Sequence, residues 1–128
     1  MIVIYGIRHR LDPIKARLSA VIHGCMMDVF GLPEDKRAQR FMPMDAEDFF
    51  APGGRSDAYT VIEINMMAGR TTETQKALIK RLFADIEAEL GIAPVDVEII
   101  LKEQPPHCWG FRGMTGDEVR DLTYRVDR

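Results

Sequence analysis

The sequence predicts an α+β domain built from two tandem βαβ units, which form one four-stranded mixed sheet with both helices on one face. Two observations support this prediction. First, residues 62–91 repeat the apolar pattern of residues 2–31, so that Gly91 falls on Gly31. Second, each half reads as strand, helix and strand, and a βαβ crossover joins parallel strands. A repeat of this kind indicates a fold assembled from two similar units.

The first half opens with residues 2–7, which are mostly β-branched or aromatic and predict a central strand. The Asp-Pro pair at residues 12–13 provides an N-cap followed by a proline at the first helical position. Apolar residues between 14 and 29 then recur at steps of mostly three and four, which predicts one buried helix face. Gly31 ends the helix, and residues 39–44 predict a second strand.

The second half repeats this order more clearly. Residues 59–65 predict a third strand, and residues 95–102 predict a fourth with alternating apolar positions. Thr72, with Gln75 three residues on, has the spacing of a capping box at the start of the second helix. Gly91 ends that helix. The two halves therefore supply four strands and two helices.

The whole chain is predicted to be one domain, with a first βαβ unit at 1–44, a linker at 45–58, a second unit at 59–104 and a C-terminal tail at 105–128. In the tail, residues 115–118 have the spacing of a cap for a short last helix. Because both helices cover one face of the sheet, the other face needs a cover too. In a chain of 128 residues the predicted cover is another subunit, which makes the protein a homo-oligomer.

Composition and charge argue against several classes of partner. The net charge is −3, so no overall basic field attracts nucleic acid or an anionic membrane. A nucleic-acid surface made of residues 8–10 with Lys36, Arg37 and Arg40 would lack interleaved exposed aromatic side chains. No apolar run is long enough for a signal peptide or a membrane span. Two lone cysteines without CxxC spacing predict a reducing, cytoplasmic compartment.

The sequence predicts neither a metal site nor a cofactor. His107 and Cys108 are adjacent, and adjacent residues rarely converge on one ion. Asp45, Glu47 and Asp48 are interpreted as a solvated acidic loop. The PGGRS segment lacks the spacing and the lysine of a phosphate-binding loop.

Three segments carry a resemblance to a known family: DVFGLPEDKRAQ, GRTTETQKALI and the late WGF. With two βαβ units, they resemble the tautomerase superfamily, and within it the fused, double-length malonate semialdehyde decarboxylase type. RSDAYTVIEIN, MAGR and HCWGFRGMTGDE are similar to a group of bacterial tautomerase-like proteins that lack the N-terminal proline. The resemblance covers nearly the whole chain. It implies the tautomerase fold, a homotrimer and a small carboxylate ligand.

The residue that follows the initiator departs from the family pattern. The catalytic group of the family is an N-terminal proline, and here position 2 is Ile2. A bulky Ile2 is expected to leave Met1 attached, so that the chain offers a primary α-amine with an unperturbed pKa of about 7.7–8.0. Such an amine takes a proton or forms an imine when an apolar pocket lowers its pKa. We therefore interpret the Met1 amine as a candidate catalytic group, the alternative being a buried strand end with no chemistry.

A second departure lies in the loop after the first helix. Decarboxylase-type members place a water-activating Asp there, whereas this chain has Lys36 at that position and Asp35 one step earlier. An ammonium cannot do the chemistry of a carboxylate. We therefore do not expect malonate semialdehyde decarboxylation.

The resemblance also implies a set of substrate-binding residues. Arg70 would hold a carboxylate beside a helix N-terminus, although it could instead be a solvated turn residue or an inter-subunit ion pair. Trp109 and Phe111 match the aromatic wall of the family's pocket. Arg40 points either into the pocket or at a partner subunit, and Arg112 is a candidate second anion ligand.

Two hypotheses about function follow. In the first, the chain is an enzyme that interconverts the keto and enol forms of a small carboxylic acid in a pocket between subunits. In the second, catalysis has been lost with the proline, and the chain is a small-anion-binding or interaction protein on the same scaffold.

Overall fold

The computed structural model describes residues 1–122 and 124–127. The elements follow in chain order: β1 (Ile2–Ile7), α1 (Arg8–Leu11), α2 (Lys15–Phe30), β2 (Gln39–Met44), β3 (Thr60–Met67), α3 (Thr72–Leu90), β4 (Val97–Gln104), β5 (Gly110–Phe111) and β6 (Met114–Thr115). Short 3-10 turns connect several of them. Thr123 and Arg128, which belong to the predicted tail, lie outside the described residues. Within the described ranges, the structure has no helix long and apolar enough to cross a membrane.

The four long strands form one mixed sheet in the order β2-β1-β3-β4. Each βαβ unit contributes a parallel pair, β1 with β2 and β3 with β4. The two units meet where β1 and β3 pair antiparallel, with Ile2 opposite Ile64 and Ile4 opposite Ile62. The predicted fold, a four-stranded mixed sheet with two helices, is confirmed.

The core lies between this sheet and the two long helices. Alternate residues of β1 and β3 point at the helices and are fully or almost fully buried. They meet Leu18 and Ile22 of α2 and Leu78, Leu82 and Ile86 of α3. Cys25 of α2 is buried in the same core, as its position on the apolar helix face predicts. Both glycine stops have the left-handed conformation, with φ 69° at Gly31 and at Gly91.

The start of the first helix differs from the prediction. Residues 8–10, which read as a basic turn, are the first turn of α1, and a 3-10 turn over Asp12–Ile14 leads into α2. Asp12 accepts no capping bond and instead pairs with Lys15 at 3.0 Å. The buried side chain of Leu11 packs against Gly6, so the chain must fold back onto the strand before Asp12 is reached.

Two further local predictions are wrong. The N-cap of α3 is Thr71 rather than Thr72, because the Thr71 hydroxyl accepts a hydrogen bond from the Thr74 N–H at 3.1 Å. No helix follows Thr115 in the described residues. The Thr115 hydroxyl instead donates to the Asp117 carboxylate at 2.6 Å, in a turn that follows the small β5–β6 hairpin.

Candidate active site

A cavity of about 440 Å³ opens at the end of the sheet where β1 begins and β3 ends. Its apolar lining includes Ile2 and Ile64 of the central strands and Met26 and Phe30 of α2. The loop before β2 and the C-terminal tail complete the wall. A concave, mostly apolar site with a few convergent polar groups is the usual form of a small-molecule pocket. This cavity is therefore the candidate active site.

Met1 lines the cavity, with its amino group held by the neighbouring strand. The amine donates to the Asn65 carbonyl oxygen at 2.9 Å, and Asn65 returns hydrogen bonds to the Met1 carbonyl from its backbone N–H at 2.9 Å and from Nδ2 at 3.2 Å. Burial, followed by the nearby charges of Lys36 and Arg40, lowers the pKa of the amine below its ordinary value. This environment favours the neutral amine, which is the form that accepts a proton.

Arg70 is the buried cation of the cavity wall. It is 7% exposed, and its guanidinium carbon lies 4.1 Å from the centre of the Phe30 ring. The turn that carries it is tied down by Gln75, which donates to the Arg70 carbonyl at 3.0 Å and to Glu103 at 2.9 Å. An arginine fixed over an aromatic ring beside a helix N-terminus is suited to bind a carboxylate.

Three more cations reach the cavity from the first βαβ unit. Lys36, Arg37 and Arg40 all line it, and Arg40 stands opposite Val3 on the sheet face that turns away from the helices. Among the described residues that line the cavity, none carries a carboxylate. The cavity is therefore locally positive although the whole chain carries a net charge of −3.

The tail supplies an aromatic wall. Trp109 and Phe111 line the cavity, and so does Tyr124. The indole Nε1 of Trp109 is buried and has no hydrogen-bond partner within the described part of the chain. A buried donor without a partner is unusual, and a bound ligand or an ordered water would supply the acceptor.

Arg112 lies apart from these residues. It occupies the turn of the hairpin with φ 53° and does not line the cavity. Its guanidinium makes two hydrogen bonds to Asp121, at 2.9 and 3.2 Å. The cavity thus brings together Met1, Arg40, Arg70, Trp109 and Phe111. Arg112 instead forms an ion pair with Asp121 within the tail.

Four ionisable residues of the described lining were not predicted as site residues: His23, Lys36, Arg37 and Tyr124. His23 is 2% exposed and is a packed histidine whose Nε2 donates to the Glu34 carbonyl at 2.8 Å. Lys36 could have been found from the family resemblance, because it stands at the position where that resemblance implies a catalytic Asp. No local pattern distinguishes Tyr124 from an ordinary tail residue.

Comparison with known protein sequences places this cavity in a family context. The sequence profile of a family described as "Tautomerase enzyme" matches residues 36–112. The probable tautomerase YusQ of Bacillus subtilis (strain 168) is 31% identical over 100 residues, which cover 74% of this chain and 79% of that protein. The profile match spans Lys36, Arg40, Arg70, Trp109 and Phe111.

Solved structures give the same picture. Malonate semialdehyde decarboxylase superposes with a TM-score of 0.80 at 26% identity, covering 89% of this chain and 92% of that one. A second malonate semialdehyde decarboxylase, inhibited by 3-bromopropiolate, gives 0.78 at 28% identity over 87% and 88%. A fused 4-OT that forms an asymmetric trimer gives 0.80 at 22% identity over 91% and 95%, which is a likeness of fold.

Proposed function

The chain belongs to the tautomerase family, and from this premise we propose that it interconverts the keto and enol forms of a small α-keto carboxylic acid. The observation that carries the proposal is the Met1 amine, whose pKa is lowered inside a cavity lined by cations and aromatic rings. An amine whose pKa lies near the operating pH is suited to general acid–base catalysis.

The proposed reaction needs one proton carrier and one carboxylate clamp. Arg70 binds the substrate carboxylate, assisted by Arg40, and Trp109 and Phe111 pack against the carbon chain. The neutral Met1 amine removes a proton from the carbon next to the carbonyl group. The electron pair of that C–H bond moves to the carbonyl oxygen and forms the enolate. Return of a proton to carbon or oxygen completes the exchange.

The relatives support a small anionic ligand. The malonate semialdehyde decarboxylase of 28% identity is inhibited by 3-bromopropiolate, which is a small carboxylate. The locally positive cavity suits a ligand of the same kind, and so does the Trp109 donor, which has no partner among the described residues.

One observation favours a second candidate function. Position 2 is Ile2, and the chain therefore offers a primary amine where the family uses the secondary amine of proline. If this change abolished catalysis, the same cavity would still bind small carboxylates. The second candidate is accordingly a small-anion-binding protein without turnover.

We further propose a homotrimer. The sheet face opposite the helices carries half-exposed Val3, Tyr5 and Val61 and the exposed Met42 and Ile100, which together are an apolar surface for a partner. The fused 4-OT of similar fold is a trimer. Light scattering is expected to give about three times the chain mass, and a monodisperse monomer would contradict the assembly.

The catalytic proposal is tested by blocking the amine. Exchange of the C3 protons of 2-oxobutyrate with deuterium is followed by NMR, with the N-terminus free or acetylated and intact mass confirming that Met1 is present. Loss of exchange on acetylation is expected. Full activity after acetylation would exclude the amine mechanism, and no exchange by either form of a folded oligomer would favour the anion-binding candidate.

A further inference from the structure

We propose that Lys36 is a second catalytic residue, an acid whose ammonium group binds the carbonyl oxygen of the substrate and protonates it as the Met1 amine takes the proton from carbon. The inference rests on the proposed function and adds a role that neither the proline-based chemistry nor an arginine clamp provides.

The loop that carries Lys36 is fixed on both sides of the residue. At its start, the left-handed Gly31 ends α2 with hydrogen bonds from Gly31 N–H to the Met27 carbonyl at 3.0 Å and from Leu32 N–H to the Met26 carbonyl at 3.4 Å. At its end, the Ile2 N–H donates to the Ala38 carbonyl at 2.9 Å. The loop is thereby tied to the first residue of β1, next to Met1.

Two further bonds hold the loop close to Lys36 itself. Lys36 N–H closes a turn onto the Pro33 carbonyl at 3.0 Å. The buried His23 side chain donates to the Glu34 carbonyl at 2.8 Å, so α2 anchors the loop two residues before the lysine. A catalytic side chain needs such a supported backbone if its end group is to stay in position.

The side chain of Lys36 is oriented by two rings of the tail. Its Nζ lies 5.5 Å from the centre of the Phe111 ring and 5.8 Å from that of Tyr124. Both distances are within the range of cation–π contacts, which are worth about 0.5–1 kcal/mol at exposed sites. Lys36 is an exposed residue, and these contacts keep its ammonium group at the cavity wall although it is not buried.

Among the described residues, no carboxylate competes for the ammonium group. Lys36 has no acidic partner within ion-pairing distance in that part of the chain, whereas Lys15 and Lys102 each have one. The charged and titratable groups that line the cavity with it, within the described ranges, are the Met1 amine, His23, Arg37, Arg40, Arg70 and Tyr124. An anionic ligand oxygen would therefore be the complement of Lys36, because the other charged groups of the described lining are cationic.

The two nitrogen atoms suit the two ends of a keto–enol exchange. After burial, the charge of Lys36 contributes most to lowering the pKa of the Met1 amine. One nitrogen is thus favoured in its neutral form, and the other keeps an ammonium proton to donate. This is the division of roles that an acid–base pair requires.

The C–H bond breaks and an N–H bond forms at Met1, while the electron pair moves through the new C=C bond onto the carbonyl oxygen. An N–H bond of Lys36 breaks and an O–H bond forms, which gives the enol, an ammonium at Met1 and a neutral amine at Lys36. The reverse transfers, or exchange with water, restore both groups.

The first test is steady-state kinetics of 2-oxobutyrate exchange. Lys36→Met keeps the length of the side chain but has no proton, and kcat is expected to fall about 100- to 1000-fold, as for the loss of one oxyanion donor. KM is expected to change little, since the carboxylate is held elsewhere. Lys80→Met, an exposed lysine of α3 outside the cavity, is the matched control and is expected to leave both constants unchanged.

The second test needs no turnover. Oxalate is a planar anion whose second carboxylate stands in for an enolate oxygen, and acetate offers one carboxylate alone. Titration calorimetry at constant ionic strength is expected to show oxalate binding weakened at least about tenfold in Lys36→Met and retained in Lys36→Arg, with acetate changed far less. This measurement separates the role of Lys36 from the proposed activity.

The outcomes are distinguishable. A rise in KM at constant kcat in Lys36→Met, or an equal loss of oxalate and acetate, would overturn the assignment and leave Lys36 as a general contributor to the positive field. If the wild-type protein exchanges no protons, the tautomerase activity itself fails. Oxalate binding that still depends on Lys36 would then show that the lysine binds the oxygen without catalysis, which refutes its role as an acid.

Discussion

Replacement of Arg70 by methionine tests the carboxylate clamp most directly. The methionine side chain keeps much of the length of the arginine stem and removes the guanidinium group that lies 4.1 Å from the Phe30 ring. A hydrogen bond to a charged group contributes about 1.5–3 kcal/mol. Since about 1.4 kcal/mol corresponds to a factor of ten, kcat/KM for 2-oxobutyrate is expected to fall about 10- to 150-fold.

The effect on stability should be smaller than the effect on activity. The stacking of Arg70 on Phe30 is worth about 0.5–2 kcal/mol as a cation–π contact, and a methionine sulfur recovers part of it against the same ring. The free energy of unfolding in urea is therefore expected to drop by less than about 2 kcal/mol. A domain of ordinary stability stays folded after such a loss.

The assay compares 2-oxobutyrate with its methyl ester, which has no charged carboxylate. Arg70→Met should lower kcat/KM for the acid and have little effect on the ester. Arg17→Met is the matched control, since Arg17 is an exposed arginine that donates to the Glu89 carbonyl at 2.6 Å and does not line the cavity. An equal loss for acid and ester would refute the clamp and indicate that Arg70 only supports the cavity wall.

Three further predictions follow from other parts of the structure. The neutral Met1 amine is the proposed base and its pKa is lowered, so the acid limb of the pH–rate profile should lie below the ordinary pKa of an α-amine. Arg40→Met removes a positive charge that lowers this pKa and should therefore move the acid limb to higher pH. An acid limb at the same pH in Arg40→Met would contradict the charge effect. Asp96→Asn should destabilise the fold by about 1–3 kcal/mol at pH 7, because the buried carboxylate accepts hydrogen bonds from Ser56 N–H at 2.8 Å and from its hydroxyl at 2.6 Å. These bonds lower the pKa of Asp96, so its contribution is present above the unfolded pKa and is lost as the pH falls through the lower folded value; urea titrations of both proteins should therefore converge in acid. Gly69 has a φ of 138°, and a Cβ added there would lie 2.8 Å from the Val126 carbonyl oxygen of the tail. Gly69→Ala should therefore displace the tail and raise KM. An unchanged KM would show that the tail does not close the cavity.

Several features of the fold could be predicted from the sequence because their causes are local. The apolar periods of residues 2–31 and 62–91 identify two strands and two helices, and a glycine in the left-handed conformation ends each helix. The helix starts were predicted less well. Whether Asp12 or Thr72 caps a helix depends on where the chain turns. At the first helix the turn is decided by the packing of Leu11 on Gly6. At the second it is decided by the hydrogen bond from Gln75 to the turn before α3.

The sequence by itself determined the scaffold, the isoleucine at position 2, and Arg70 in the turn before the second helix. The tertiary structure decided which charges meet. It placed Lys36 and Arg40 near the Met1 amine. It paired Arg112 with Asp121, outside the cavity lining. The physical reason for this difference is the range of the interactions. Apolar residues that are buried on one side of a strand or helix recur at a fixed spacing, which the sequence shows. The approach of Lys36 to the Met1 amine and to two rings of the tail depends on segments that are far apart in sequence.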